Sequence, residues 1–157
     1  MSRILVLYHS RSGHTEKMAK LVAEGAEKAG AQVTLKKVQD AAPEDMIEFD
    51  GIIIGSPTYY GTMAGEIKTF IDESVRVHTK LTGRVAAAFS SSANIGGGNE
   101  TTIVDILKSL LVHGMVIQGD PKGDHYGPVS IGSPDKRSSD ECERLGKRTA
   151  ELAEKLK

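Results

Sequence analysis

The apolar residues of the chain form short runs that alternate with segments in which apolar and charged residues follow helical spacing. The third run, residues 51–55, contains three consecutive isoleucines, which is typical of a strand buried on both faces. Residues 101–112 are apolar nearly all round, which predicts a helix with little polar surface. The five runs that we predict to be strands cover residues 4–8, 32–38, 51–55, 85–89 and 115–118.

Signals at the helix ends support this alternation. Gly30 is predicted to end the first helix, because glycine readily adopts the backbone conformation that terminates helices. The last helix is predicted to begin at Ser138, where Glu141 completes a capping-box spacing. No linker or repeat divides the sequence. Residues 1–157 are therefore predicted to form one α/β domain with a parallel sheet, right-handed crossovers and helices on both faces.

Composition narrows the classes of function. Twenty basic and 21 acidic side chains leave a formal charge of −1, which lacks the basic surface that nucleic-acid binding requires. The single cysteine, Cys142, provides neither a disulfide nor a multi-cysteine metal site. The first apolar run is too short for a secretory signal, and no segment approaches the ~18 apolar residues of a membrane span. We therefore expect a cytoplasmic protein without a membrane span, a metal site or a nucleic-acid partner.

Three loops of unusual composition follow predicted strands. They are HSRSGHT at 9–15, SPTYYGTMAG at 56–65 and SSSANIGGGNE at 90–100. Ligands of doubly wound sheets bind at the carboxyl ends of the strands. We therefore expect the three loops to converge on one crevice.

The first loop has the residues of a phosphate site. Ser10, Ser12 and Thr15 supply hydroxyl groups, Gly13 permits a tight turn, and the amides of the following helix start are free donors. The sequence has neither the Gly-Lys-Ser/Thr of a P-loop nor a G-x-G-x-x-G motif, so the predicted ligand is a monophosphate. The alternative is an ordinary polar turn in which Thr15 caps the helix.

The composition of the other two loops indicates that the ligand also contains a flat ring. Tyr59 and Tyr60 stand beside Gly61 at a strand end and are suited to stacking, although core filling at the sheet edge is the alternative. In the third loop, the glycines at 96–98 would let the backbone approach a heteroaromatic edge closely. A flexible linker is the alternative for that segment.

Four segments together resemble a known family. SPTYYGTMAGEIKTFIDE, GGGNETTI, HGMVI and a later YGP are similar to segments of the flavodoxin-like, WrbA-type NAD(P)H:quinone oxidoreductases. The resemblance implies a flavodoxin-like three-layer α/β fold whose five-stranded parallel sheet has the order 2-1-3-4-5. It also implies FMN as the cofactor and two-electron reduction of quinones by NADH or NADPH, in a ping-pong hydride transfer through the bound flavin.

The resemblance also implies roles for particular residues. His113 matches the family's active-site histidine and would orient the acceptor or supply a proton. The alternative is a histidine that only interacts with the C-terminus of the apolar helix before it. The phosphate would be held by Ser10, Arg11, Ser12, Gly13, His14 and Thr15; the isoalloxazine would be flanked by Pro57, Thr58, Tyr59, Tyr60 and Gly61; and its pyrimidine edge would be met by Ser91, Ser92, Ala93, Asn94, Ile95, Gly96 and Gly97.

The chain departs from the family pattern in two ways. It has no tryptophan, with VRVHTKLTGR in the corresponding region, and it lacks the long insertion that usually follows the fifth strand. These departures leave open the quinone specificity and the formation of a homodimer or homotetramer. The apolar helix at 101–112 is the candidate surface for self-association, and a helix covered within its own chain is the alternative. The sequence does not distinguish NADH from NADPH or identify the physiological acceptor.

Two other functions remain as alternatives. One is a flavodoxin-type electron carrier that exchanges electrons with protein partners, although such carriers usually present a strongly acidic face. The other is a flavin-free signalling domain on the same fold. The loops at 9–15 and 56–65 contain no acidic residue that would accept a phosphoryl group, which disfavours the signalling alternative.

Overall fold

The middle layer of the structure, a computed structural model that describes residues 1–157, is a mainly parallel β-sheet. Helices cover both of its faces. The strands are β1 (Arg3–Tyr8), β2 (Gln32–Lys37), β3 (Gly51–Tyr59), β4 (Thr62–Met63), β5 (Val85–Ser92), β6 (Val116–Ile117) and β7 (Val129–Ile131). The helices are α1 (His14–Lys28), α2 (Gly65–Glu73), α3 (Asn99–Val112) and α4 (Lys136–Lys155), and short 3-10 segments cover 38–40, 43–48 and 74–77.

The sheet has five positions in the predicted order. Its path is β2-β1-β3-β5-β6, and β7 also pairs in parallel with β5. β6 pairs with the start of β5 at Val85, whereas β7 pairs with its end from Ser90 onward. The predicted fifth strand at 115–118 is therefore shorter than expected, and β7 continues its place in the sheet. β4, which the sequence did not predict, forms an antiparallel hairpin with β3.

The two faces of the sheet carry separate apolar clusters. Ile52 and Ile54 belong to the cluster beneath α2 and α3, whereas Ile53 belongs to the cluster beneath α1 and α4. All three side chains are buried. Successive residues of a strand point to opposite faces, so a strand covered on both sides needs an uninterrupted apolar run. The prediction of a doubly buried strand at 51–55 is confirmed.

Helices α1 and α4 pack against each other at two glycines. A Cβ atom at Gly146 would overlap the carbonyl oxygen of Val22, and a Cβ atom at Gly25 would overlap that of Glu143. The two helix backbones therefore touch directly at this crossing.

Helix ends differ from the predictions in two places. α4 begins at Lys136, because Asp135 accepts a hydrogen bond from the Ser138 amide at 2.8 Å and its own amide donates to the Ser138 hydroxyl at 2.9 Å. Ser138 therefore completes the capping box and does not begin the helix, which corrects the predicted start. α3 begins at Asn99, two residues before its predicted start. The predicted end of the first helix at Gly30, which has a φ of +87°, is confirmed.

The loop between β6 and β7 is anchored more firmly than its polar composition suggested. Asp120 is buried, and it pairs with both Arg144 and Arg148 of α4. The polar composition of this loop, rich in Gly, Pro and Asp, predicts a solvent-exposed segment, and that prediction is wrong for Asp120. None of the helices combines the length and the apolar character needed to cross a membrane.

Candidate functional site

The three loops meet at the carboxyl edge of the sheet, as predicted. The hydroxyl groups of Thr15 and Ser91 lie 2.9 Å apart and join the first loop to the third. The Thr58 and Ser90 hydroxyls, also 2.9 Å apart, join the second loop to β5. The third loop also touches the second, since a Cβ atom at Gly98 would lie 2.6 Å from the Gly61 Cα.

The first loop presents free amides at the start of α1. Gly13 is the N-cap with a φ of +92°, and its amide donates to the Ser10 hydroxyl at 3.1 Å. The amides of residues 14–16 donate to no acceptor within the chain. Such amides, at the positive end of the helix dipole, form an anion-binding site. Thr15 lies within the helix and is buried, so the alternative in which it caps the helix is wrong.

Arg11 and Ser12 are exposed on the rim of this loop. Six of the seven arginines of the chain donate to an acidic side chain or a backbone carbonyl, and Arg11 is the exception. His14 is the first residue of α1 and is partly exposed. The predicted phosphate residues 10–15 thus lie together, with their backbone forming the centre of the site.

The second loop is a two-residue β-hairpin turn between β3 and β4. Tyr60, with a φ of +49°, and Gly61, with a φ of +80°, occupy the turn. This conformation costs a non-glycine residue about 1–2 kcal/mol. The Tyr60 side chain is fully exposed, so core filling is wrong for this residue. Tyr59 is partly buried, and its ring meets the His9 ring edge-on at a centroid distance of 6.5 Å.

The serine side chains of the third loop are buried, whereas residues 93–97 in its middle are exposed. The Ser91 hydroxyl pairs with Thr15, and Ser92 accepts from the Asn99 amide group at 3.0 Å. Both serine side chains are buried and engaged in these hydrogen bonds, and their contact with a ligand edge stays a prediction. Residues 93–97 are exposed, and the Gly97 amide donates to the Asn94 carbonyl at 3.2 Å. The segment therefore forms a turn that is closed by this hydrogen bond.

His9 is a residue of the site that the sequence analysis did not select. Its Nδ1 lies 2.7 Å from the Gln39 amide group, and its Nε2 lies 3.6 Å from the Glu66 carboxylate. The ring is nearly buried and supports the inner side of Tyr59. Its place as the first residue after β1 was the available signal.

His113 lies far from this crevice. It follows the last residue of α3, and the 14 residues of that helix span about 21 Å from the crevice. Its Nε2 lies 2.7 Å from the Ser74 hydroxyl, which itself donates to the Ile71 carbonyl, so Nε2 carries the proton and donates. Nδ1 is buried without a partner. His113 and the three loops thus lie at opposite ends of α3, and its role as the active-site histidine stays a prediction.

The surroundings of His113 predict a pH dependence of stability. Burial, with a smaller contribution from His78, lowers its pKa in the folded protein below the ordinary value of about 6.5. The unfolded chain therefore binds more protons as the pH falls below 6.5, and stability is lost on acidification, by at most about 1.4 kcal/mol per pH unit from this group. Urea unfolding at pH 7.5 and 5.5 should show a smaller loss for His113→Gln than for wild type. Equal losses would contradict this account.

Cys142 offers no reactive group. It is fully buried on α4, and burial raises the pKa of its thiol to about 12. The thiol stays protonated at neutral pH and is shielded from solvent.

The fold and the crevice define a doubly wound α/β protein. Its similarity to known proteins identifies the family. The flavodoxin domain matches residues 5–110. A protein named NAD(P)H dehydrogenase (quinone) from Archaeoglobus fulgidus is 38% identical over 99% of this chain and 100% of its own length. A protein named flavodoxin from Aquifex aeolicus is 42% identical over 96% of this chain and 86% of its own length. The crystal structure of a WrbA-like flavodoxin from Agrobacterium tumefaciens is 30% identical and covers both chains completely, with a TM-score of 0.85.

The chain belongs to the flavodoxin family. The predicted resemblance and the flavodoxin-like fold are therefore confirmed. The alignment with the Archaeoglobus relative extends over 190 positions and is longer than the 157-residue chain, so that relative has residues that this chain lacks.

Proposed function

We propose that residues 1–157 form an FMN-dependent NAD(P)H:quinone oxidoreductase. The observation that carries this proposal is the crevice itself, where an amide-lined anion site, an exposed tyrosine turn and an exposed glycine-rich turn stand side by side. The relatives named NAD(P)H dehydrogenase (quinone) support the reaction.

The donors of the first loop fit the phosphate of FMN. The amides of residues 14–16 and the hydroxyl of Ser12 would donate to its oxygens, and Arg11 would contribute charge from the rim. The Ser10 hydroxyl keeps the Gly13 amide in place. Buried Thr15 would act mainly by joining this loop to Ser91.

The other two loops fit the isoalloxazine ring. Tyr60 would lie against the ring face, with Tyr59 beside it, supported by His9. Pro57, Thr58 and Gly61 would form the remainder of that wall. The exposed backbone of residues 93–97 would meet the pyrimidine edge.

Bound FMN supplies the redox chemistry, namely hydride acceptance from NADH or NADPH and two-electron reduction of a quinone. The chain's own residues bind and orient. No side chain acts as a nucleophile. His113, at the far end of α3, would orient the acceptor or supply a proton only in the crevice of a second chain.

One exposed crevice accounts for two substrates only if they use it in turn, so we predict ping-pong kinetics. Initial rates measured at several fixed concentrations of benzoquinone against NADH or NADPH should give parallel lines in double-reciprocal plots. Intersecting lines would require both substrates to be bound together and would contradict the single alternating site.

A flavodoxin-type electron carrier is the second candidate, favoured by the similarity to the Aquifex flavodoxin. The two functions share the FMN site and differ in the electron donor. The formal charge of −1 gives no large acidic excess for docking a protein partner. Reduction by NADH or NADPH alone separates the two candidates.

Self-association as a homodimer or homotetramer remains part of the proposal. The predicted surface on α3 does expose apolar side chains, with Leu111 and Val112 both more than half exposed. Val75 lies nearby and is 72% exposed. Contiguous exposed apolar residues of this kind mark association surfaces.

A further inference from the structure

Tyr60 lies in a hairpin turn that is not stable by itself. β4 has only two residues, and an isolated two-stranded hairpin is marginally stable in water. The fully exposed Tyr60 side chain adds no packing, and its backbone is in the left-handed region. A strained conformation persists only where the surrounding structure determines it. The turn therefore needs anchors from outside the hairpin.

The first two turns of α3 supply those anchors. The Thr62 hydroxyl donates to the Asp105 carboxylate at 2.7 Å. The Thr101 hydroxyl lies 2.7 Å from the Gly61 carbonyl and 2.8 Å from the Gly98 carbonyl, and these two acceptors share its one proton. Gly98, the N-cap of α3, packs against the Gly61 backbone. Positions 98, 101 and 105 have the spacing i, i+3, i+7 and so share one face of the helix.

Asp105 is held in its charged, accepting form. Its second oxygen lies 2.8 Å from the Lys108 ammonium group, and its side chain is about one-third exposed. The hydrogen bonds from Lys108 and then Thr62 lower the pKa of the carboxyl group. A hydrogen bond to an ionised acceptor is stronger than one between neutral groups.

We propose that Asp105 is a positioning residue of the flavin site, acting through Thr62 to fix the Tyr60–Gly61 turn against the glycine-rich loop. This inference rests on the proposed function, because it assigns the turn as one wall of the flavin site. With the turn fixed beforehand, ligand binding does not have to order it. Thr101 is the second anchor of the same turn.

The test compares Asp105→Leu with Asp105→Asn and Lys108→Met. The leucine variant loses the acceptor, the asparagine variant keeps an oxygen for Thr62, and the lysine variant removes only the outer ion pair. Thr62→Val removes the donor and serves if Asp105→Leu does not fold. Three quantities are measured: amide hydrogen exchange of the segment 58–64 in the apoprotein, the Kd of FMN, and the midpoint potential of bound FMN.

Asp105→Leu and Thr62→Val should accelerate exchange in segment 58–64 at least about tenfold and raise the FMN Kd by about tenfold, the size expected for a hydrogen bond to a charged group. Both variants should also shift the midpoint potential of bound FMN. A substitution that only destabilised the fold would not do so, because the molecules that remain folded would bind FMN as wild type does. Lys108→Met should stay close to wild type. Asp105→Asn, which offers Thr62 only a neutral acceptor, should fall between wild type and Asp105→Leu. The Thr62→Val/Asp105→Leu pair should be non-additive.

Unchanged exchange in segment 58–64, or equal acceleration throughout the protein, would overturn the proposal. So would faster local exchange with an unchanged FMN Kd and potential, because the anchor would then not serve the flavin site. Wild-type protein that binds no FMN would overturn the proposed function and the flavin role of Asp105 together. The exchange comparison would still decide separately whether Asp105 holds the turn.

Discussion

Gly146→Ala is expected to lower the free energy of unfolding by about 3 kcal/mol, at the upper end of what overpacking usually costs. Helix propensity alone would favour alanine by about 1 kcal/mol. The added Cβ atom, however, would overlap the carbonyl oxygen of Val22, which is backbone and cannot rotate away. The helices α1 and α4 would have to separate, and the apolar cluster beneath them would loosen.

Urea unfolding of wild type and variant measures this change, and Gly65→Ala is the matched control. Gly65 is also helical, but a Cβ placed there would meet no atom within 4 Å apart from its chain neighbours and the backbone of its own helix. We expect that variant to be as stable as wild type or to gain up to about 1 kcal/mol. If Gly146→Ala were as stable as Gly65→Ala, the close crossing of α1 and α4 would be wrong.

FMN is expected to bind at least about a hundredfold more tightly than riboflavin, which lacks the phosphate. Each hydrogen bond from a free amide to the charged phosphate contributes about 1.5–3 kcal/mol to the binding free energy. Two such bonds therefore raise the affinity more than about a hundredfold. Titration of the apoprotein with each flavin, followed by fluorescence quenching, measures the ratio.

A variant tests whether the first loop causes that preference. Ser10→Ala removes the hydroxyl that accepts from the Gly13 amide, so the loop loses a contact that shapes it. We expect the Kd of FMN to rise and that of riboflavin to stay at its wild-type value, which makes riboflavin the internal control. Equal affinities of wild type for the two flavins would contradict a phosphate site at residues 10–15.

Much of the fold follows from local pattern. The isoleucines at 52–54 predict a doubly covered strand, and the structure covers them on both faces. β4 and β7 escaped prediction because two or three residues carry no periodicity, and their pairing with β3 and β5 is decided by tertiary contacts. The start of α4 was misplaced because overlapping capping signals occur at 135–138 and 138–141, and the aspartate of the first is the better cap here.

The site was predictable as a set of loops but not in its side-chain contacts. Composition located the three loops, because hydroxyl, aromatic and glycine residues follow apolar runs. The bond between Thr62 and Asp105 joins residues 43 positions apart, and no local pattern reveals such a pair. The place of His113 was foreseeable, since a helix that starts at the carboxyl edge of a parallel sheet ends at the opposite edge.

Anaerobic reduction tests the central claim most directly. The protein is loaded with FMN, freed of unbound flavin, and mixed with NADH or NADPH while the flavin absorbance is followed; benzoquinone is added afterwards. A quinone oxidoreductase should bleach rapidly with at least one of the two nucleotides and recover its colour on addition of quinone. Bound flavin that neither nucleotide reduces would contradict the account and favour an electron carrier that depends on a protein partner.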